Sequence, residues 1–213
     1  MTRQQILERI LSEKLVAIIR LKRDTYVQEV VKNIINGGIP IVEITSNTPN
    51  FKEEISKARE SFPEAVIGAG TIFTKQLAID AIEAGAQYLV TPSVNTDIIS
   101  IAHSNNIPVI MGCLTPTEIA VAVEHKADII KLFPAGNFGI DYFKTVKAPF
   151  SDAKIFAVGG VSANNIGEWV KAGAAGFGLG GSIYPSSLDS IEECLSITKN
   201  AKNMVETLKD AFS

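Results

Sequence analysis

Short apolar runs recur along the whole chain at a nearly constant spacing. The eight runs begin at residues 15, 40, 65, 88, 107, 128, 154 and 176, at intervals of 19 to 26 residues, which is room for one strand and one helix. Each run is apolar almost without interruption, a pattern typical of parallel strands covered on both faces. The runs are Leu15–Leu21, Pro40–Thr45, Ala65–Thr71, Tyr88–Ser93, Ile107–Cys113, Asp128–Pro134, Lys154–Gly160 and Gly176–Gly181.

Amphipathic segments fill the spaces between the runs. Several of them end at a glycine, such as Gly85 and Gly173, and glycine adopts the left-handed conformation at a helix C-terminus without steric cost. Eight strand–helix units predict an α/β protein with a (β/α)8 TIM barrel, preceded by an amphipathic N-terminal helix within Met1–Leu11. A doubly wound open sheet is the structural alternative. No linker or low-complexity tract divides the chain, so we expect a single domain over residues 1–213.

The charge balance and the residue inventory argue against several functional classes. The 20 Lys and Arg residues are outnumbered by 23 Asp and Glu residues, whereas nucleic-acid binding relies on an excess of basic side chains. No stretch approaches the ~18 apolar residues of a membrane span. The two cysteines lie far apart without metal-ligand spacing, so we expect reduced thiols in a cytoplasmic protein. The sequence holds only two histidines and no visible cluster of metal ligands, and we expect neither a metal nor a cofactor. We interpret Cys113 as an apolar pocket-lining side chain rather than a nucleophile.

A lysine within the sixth apolar run is the first candidate for catalysis. Lys131 lies in the segment Ile-Ile-Lys-Leu-Phe-Pro, which contains no carboxylate partner. Burial lowers the pKa of a lysine amine and makes it nucleophilic, which is the starting point for a Schiff base with a ketone. The alternative is a lysine whose stem is buried while its ammonium group reaches solvent at the strand end.

Glu43, in the second run, is the natural partner of Lys131. Strands 2 and 6 face each other across an eight-stranded barrel, and both residues are fourth from the start of their runs, so the two side chains are expected inside the barrel. A glutamate beside a lysine in a pocket is suited to proton transfer, although a structural ion pair is the alternative. Arg20 ends the first run and is suited to a substrate carboxylate, to an ion pair with Glu43, or to a solvated strand end.

Glycine clusters end the seventh and eighth strands. Gly159 and Gly160 follow Val158, and Gly180 and Gly181 precede Ser182. The loops after these two strands offer backbone N–H groups to phosphate in many barrels. Simple turn formation is the alternative for either cluster taken alone.

The motifs in combination resemble one family. In order along the chain they are Val42-Glu43-Ile44-Thr45, Ile67-Gly68-Ala69-Gly70-Thr71, Val90-Thr91-Pro92, Ile130-Lys131-Leu132-Phe133-Pro134, Val158-Gly159-Gly160-Val161 and Gly178-Leu179-Gly180-Gly181-Ser182. From about residue 14 to Tyr184 the chain resembles the 2-keto-3-deoxy-6-phosphogluconate (KDPG) aldolases. That family includes the 4-hydroxy-2-oxoglutarate (KHG) and 2-keto-3-deoxy-6-phosphogalactonate (KDPGal) aldolases.

The resemblance implies a metal-free class I aldolase that forms a homotrimer and acts on a small phosphorylated keto acid. It matches Lys131 to the Schiff-base lysine and Glu43 to the general acid/base. The remaining matches divide the site into two ends. Arg20, Thr71 and Pro92 match residues around the pyruvate moiety, and Gly159, Gly160, Gly180, Gly181 and Ser182 match the phosphate-binding end.

Two positions depart from the gluconate-type members of the family. Those enzymes often carry arginine where this chain has Asn47, and threonine where it has Val158. Both replacements resemble the galactonate-type enzymes, which favours KDPGal weakly over KDPG. Two other functions stay open: a phosphosugar isomerase or epimerase with Glu43 as its base, and a barrel that binds a phosphorylated metabolite without catalysis.

Overall fold

Eight parallel strands close into a barrel, with each strand hydrogen-bonded to the next and β8 returning to β1. The computed structural model describes residues 1–185, 188 and 191–212. The predicted (β/α)8 barrel with an N-terminal helix is therefore confirmed, and the open-sheet alternative is excluded. The strands are β1 (Leu15–Ile19), β2 (Ile41–Thr45), β3 (Val66–Gly70), β4 (Leu89–Val90), β5 (Val109–Cys113), β6 (Ile129–Leu132), β7 (Ile155–Val158) and β8 (Gly176–Leu179).

Helices surround the barrel and connect successive strands. Their bounds are α1 (Arg3–Glu13), α2 (Val27–Asn36), α3 (Phe51–Ser61), α4 (Lys75–Glu83), α5 (Thr96–Ser104), α6 (Pro116–Glu124), α7 (Ala135–Lys147), α8 (Ile166–Lys171) and α9 (Ile191–Phe212), and a short 3₁₀ helix follows α7 at Ala148–Phe150. The apolar layer between helices and strands is continuous, and its buried members extend from Leu15 to Leu208. No helix in the described ranges has both the length and the apolar composition needed to cross a bilayer.

Helix α1 closes the N-terminal end of the barrel. Its Ile6 and Ile10 are buried against the inward-facing side chains of the strands. Arg3 binds Asp128 at the start of β6, with Nη2 2.6 Å from Oδ1. The same carboxylate accepts hydrogen bonds from the backbone of Val109 at 2.8 Å and from His103 Nε2 at 2.9 Å. This network joins α1, α5 and two strands at the end of the barrel opposite the predicted site.

Inward-facing glycines make space for large side chains inside the barrel. A Cβ atom at Gly176 of β8 would overlap the ring of Phe156, which is 1% exposed. On β3, Gly68 faces the ring of Tyr88, and Gly70 faces the carboxyl group of Glu43. The glycines of β3 and β8 are thus required by packing, because the barrel interior has no room for a further methyl group at these positions.

We predict that Gly176→Ala lowers the free energy of unfolding by about 1–3 kcal/mol, because the added methyl group overpacks the Phe156 ring. Gly167→Ala in α8 is the matched control: its new Cβ would lie 3.9 Å from the nearest atom, an ordinary contact. This control should leave stability unchanged or raise it by up to about 1 kcal/mol, because alanine favours a helix over glycine. Urea unfolding measures both, and equal effects of the two substitutions would contradict the packing argument.

Candidate active site

The amine of Lys131 is enclosed in the barrel interior at the end of β6. The residue is 6% exposed, and its Nζ lies 5.2 Å from the centre of the Phe133 ring. Burial lowers the pKa of this amine, because the charged form is poorly solvated; the Glu43 carboxyl group opposes the shift, and the Arg20 cation adds to it. The direction of the shift makes this amine easier to deprotonate than an ordinary lysine. Its burial excludes the alternative of an ammonium group that reaches solvent at the strand end.

Glu43 lies inside the same barrel on β2. It is 1% exposed, and its Oε1 has no hydrogen-bond partner among the described residues. Burial raises the pKa of this carboxyl group, while its electrostatic interactions with Lys131 and Arg20 act in the opposite direction. A raised pKa makes a carboxyl group a stronger base, which suits a general acid/base.

Lys131 and Glu43 influence each other electrostatically without direct contact. Each contributes to the pKa shift of the other. Within the described part of the chain, neither forms an ion pair with N···O of 4.0 Å or less. The alternative of a structural ion pair in the core is therefore not supported.

A cavity of about 560 Å³ opens above Lys131 at the C-terminal ends of β1, β6, β7 and β8. It brings together most of the residues predicted from the sequence. The predicted residues in its lining are Arg20, Lys131, Val158, Gly159, Gly160, Gly180, Gly181 and Ser182. A second cavity of about 470 Å³ lies at the opposite end of the barrel, near Lys14 and Phe212. It contains none of the predicted groups, and active sites of this fold lie at the C-terminal end of the strands.

Four of the predicted residues lie outside this lining. Thr71 follows β3 and accepts a hydrogen bond from Arg20 Nη2 at 3.3 Å, so it borders the cavity through Arg20. Asn47 is exposed on the loop after β2, and Pro92 is half-buried after β4. Glu43 is also absent from the lining, because it lies deeper in the barrel than the cavity mouth.

Backbone donors at one side of the cavity lack partners. Among the described residues, the N–H groups of Gly159, Gly160 and Gly181 donate no hydrogen bond, and the Oγ atom of Ser182 is buried without a partner. Gly159 and Gly160 have positive φ angles of 89° and 77°, which side-chain-bearing residues rarely adopt. Unpaired donors in a concave loop region suit an anion with several acceptor oxygens.

Tyr184 is a residue that the sequence analysis missed. It is 4% exposed, accepts a hydrogen bond from the backbone N–H of Arg20 at 2.7 Å and donates one to the carbonyl oxygen of Ile18, also at 2.7 Å. These bonds connect the loop after β8 to the end of β1. The sequence analysis also missed Phe133 as a site residue, although its position directly after the Lys131 strand was an available signal.

The thiol of Cys113 is buried in the apolar layer between β5 and α6 and does not line the cavity, so the prediction of a pocket-lining side chain is wrong. Its sulfur lies 3.5 Å from the carbonyl oxygen of Glu118. Burial, with a smaller contribution from the Glu118 carboxylate, raises the pKa of this thiol to about 12.

We predict that Cys113 is not alkylated in the folded protein at pH 8, where a pKa of about 12 leaves about one thiol in ten thousand ionised. Iodoacetamide labelling followed by peptide mass spectrometry, with and without denaturant, measures this. Cys113→Ala should keep its catalytic activity within about twofold of the parent protein. Rapid labelling coupled to loss of activity would instead make Cys113 a nucleophile.

Comparisons with known proteins agree on one family. A sequence model described as "KDPG and KHG aldolase" matches residues 6–199. The chain is 39% identical over 154 residues to the 2-dehydro-3-deoxy-6-phosphogalactonate aldolase of Escherichia coli (strain K12), covering 71% of this chain and 75% of the relative. It is 28% identical over 196 residues to the KHG/KDPG aldolase of the same organism, covering 91% and 92%. A solved structure described as "Native KDPGal structure" superposes with a TM-score of 0.86 at 34% identity, covering 93% of this chain and 95% of that one.

Proposed function

The chain belongs to the KDPG and KHG aldolase family, and from this premise we propose that it is a class I aldolase in which Lys131 forms a Schiff base with the substrate. Aldolases are carbon–carbon lyases. The proposed reaction is the reversible cleavage of a 2-keto-3-deoxy-6-phospho sugar acid to pyruvate and glyceraldehyde 3-phosphate. The observation that carries the proposal is the buried amine of Lys131, which opens onto a cavity and lies under the influence of a buried carboxyl group.

The covalent steps assign a distinct role to each of the two groups. The electron pair of Lys131 Nζ attacks the C2 ketone, and loss of water leaves a protonated imine. Glu43 removes the proton from the C4 hydroxyl, the C3–C4 bond breaks, and its electron pair passes to the imine to form an enamine. Glyceraldehyde 3-phosphate then leaves, Glu43 returns the proton to C3, and hydrolysis of the imine releases pyruvate. A positioned general acid/base of this kind contributes ~10²–10⁴-fold to the rate.

The two ends of the cavity suit the two anionic ends of such a substrate. Arg20 offers a guanidinium group for the C1 carboxylate, and its hydrogen bond to Thr71 places Thr71 on the same side. By the family resemblance, Pro92 after β4 belongs to this end as well. Gly159, Gly160 and Gly181, whose N–H groups have no described partner, line the cavity together with Ser182 and suit the phosphate. Because 4-hydroxy-2-oxoglutarate carries a carboxylate in place of the sugar phosphate, its cleavage to pyruvate and glyoxylate fits the same arrangement. The relative named KHG/KDPG aldolase supports this second substrate.

We favour KDPGal over KDPG as the preferred substrate. Val158 lines the cavity and offers no hydroxyl group to the substrate, and Asn47 replaces the arginine of many gluconate-type members. The 39% identity to a galactonate-type aldolase supports the same preference.

The proposal also covers the whole chain, its assembly and its location. We propose that residues 1–213 form one aldolase domain, that three chains assemble into a homotrimer, and that the enzyme acts in the cytoplasm. The apolar layer that extends from Leu15 to Leu208 supports a single domain. Exposed aromatic rings at Phe73 and Phe138, 52% and 49% accessible, are surfaces that a partner copy would cover.

Two other functions predict different outcomes. An isomerase or epimerase with Glu43 as its base would keep its turnover without the Lys131 amine. A barrel that only binds a phosphorylated metabolite would be stabilised by ligand and form no product. Neither function needs a buried neutral amine, which is why the burial of Lys131 favours the aldolase.

We predict that borohydride reduction in the presence of pyruvate leaves a stable adduct on Lys131 alone, as peptide mapping will detect. Lys131→Met should lower cleavage by about 10³-fold or more. Its melting temperature should stay unchanged or rise, because an apolar side chain replaces a buried amine. Lys126→Ala, at an exposed position, is the matched control and should keep both adduct and activity. An adduct on another lysine, or full activity in Lys131→Met, contradicts the proposal.

We predict that Val158→Thr shifts the ratio of kcat/KM values towards the gluconate epimer by about 5- to 150-fold. This range corresponds to the ~1–3 kcal/mol expected from one added polar contact. A cleavage assay with both C4 epimers measures the ratio, and Val123→Thr on the exposed face of α6 should leave it unchanged. A parent enzyme that prefers the gluconate epimer would refute our interpretation of Val158 and Asn47.

A further inference from the structure

Tyr88 carries a polar group in a part of the barrel that is otherwise apolar. The residue is fully buried, directly before β4, and belongs to the same interior cluster as Ile41 and Val66. Its hydroxyl group has no hydrogen-bond partner among the described residues. Burying a hydroxyl group without a partner is unfavourable, and phenylalanine would fill the same space without that cost. A tyrosine at this position therefore calls for a polar counterpart.

The Glu43 carboxyl group is the nearest candidate for that counterpart. Glu43 Oε1 is the other buried oxygen of the barrel interior that lacks a partner in the described structure. The Tyr88 ring packs on Gly68 and the Glu43 carboxyl group packs on Gly70. These glycines occupy successive inward positions of β3, about 7 Å apart, so the phenol ring and the carboxyl group occupy adjacent layers. Burial raises the pKa of Tyr88, and the Glu43 charge adds to this shift, in agreement with the placement of the two groups in adjacent layers.

We propose that Tyr88 is a positioning residue for the aldolase reaction: its hydroxyl group donates a hydrogen bond to one buried water molecule, which in turn donates to Glu43 Oε1. The inference rests on the proposed role of Glu43 as the proton carrier. One water with two polar partners satisfies both unpaired oxygens, and buried polar sites of this kind hold ordered water. The chain of donors fixes the orientation of the carboxyl group towards Lys131.

The electrostatic consequence has a defined sign. A neutral donor stabilises the ionised carboxylate, so Tyr88 keeps the pKa of Glu43 lower than burial alone would set it. The other ionisable groups that act on Glu43 or respond to it are Lys131 of β6, Arg20 after β1 and Tyr184 after β8. All three stay in place when the Tyr88 hydroxyl group is removed. Loss of this donor alone therefore raises the pKa of Glu43. The carboxyl group then becomes protonated, and stops acting as a base, at a higher pH than in the parent protein.

The test is a carbon-13 NMR titration of the Glu43 side-chain carboxyl group in labelled protein, together with the pH profile of kcat. In Tyr88→Phe, the Glu43 pKa and the acidic limb of the profile should both move up by about one unit, the effect expected from losing a hydrogen bond to a charged group. Tyr142→Phe is the matched control, because it removes a hydroxyl group bonded to the carbonyl oxygen of Leu114 at 2.8 Å, outside the site. This control should move neither value. An unchanged Glu43 titration in Tyr88→Phe overturns the inference.

A second variant keeps the test valid if Tyr88→Phe does not fold. Replacing Tyr88 with 3-fluorotyrosine makes the hydroxyl group a stronger donor with little change in volume, so the Glu43 pKa should move down rather than up. A shift in the other direction, or no shift, overturns the inference. Failure of the aldolase proposal would be seen separately, because the parent protein would then cleave neither C4 epimer. That result does not depend on whether Tyr88 changes the Glu43 titration.

Discussion

The desolvation of one amine is the constraint on which the account of this protein depends. Lys131 lies inside a barrel whose walls are apolar, and burial outweighs the attraction of Glu43 in setting its pKa. A direct ion pair would have restored the charge and blocked the electron pair, and the structure keeps the two groups apart instead. Gly68 and Gly70 of β3 make this arrangement possible, because side chains at these positions would occupy the volume in which Tyr88 and Glu43 lie.

The polar groups that stabilise the barrel and those of the proposed site lie at opposite ends of the strands. At the N-terminal end, α1 covers the barrel interior. The Asp128 carboxylate there accepts hydrogen bonds from Arg3, His103 and the Val109 backbone. At the C-terminal end, buried polar atoms such as Glu43 Oε1 and Ser182 Oγ have no hydrogen-bond partner among the residues that the structure describes. Buried polar atoms without a described partner are uncommon in folded proteins, and their position at the C-terminal end of the strands favours that end as the ligand-binding end.

The sequence predicted the barrel and the two reactive groups because these features have local signals. Buried parallel strands appear as apolar runs, and a charged residue within such a run, such as Lys131 or Glu43, stands out against its neighbours. Tyr184 and Tyr88 lack such a signal. The partners of Tyr184 lie 164 and 166 residues away along the chain, and the importance of Tyr88 follows from an unpaired oxygen. Contacts of this kind become visible only when the barrel has closed.

The measurement that tests the central claim most directly is the titration of the Lys131 side-chain nitrogen itself, followed by nitrogen-15 NMR in lysine-labelled protein. The account predicts that this amine loses its proton at a pH below the ordinary lysine pKa of ~10.4 and does so without ligand present. An amine that titrates at or above the ordinary value would contradict the account, because Lys131 would then be a charged group at neutral pH with no free electron pair to attack a ketone.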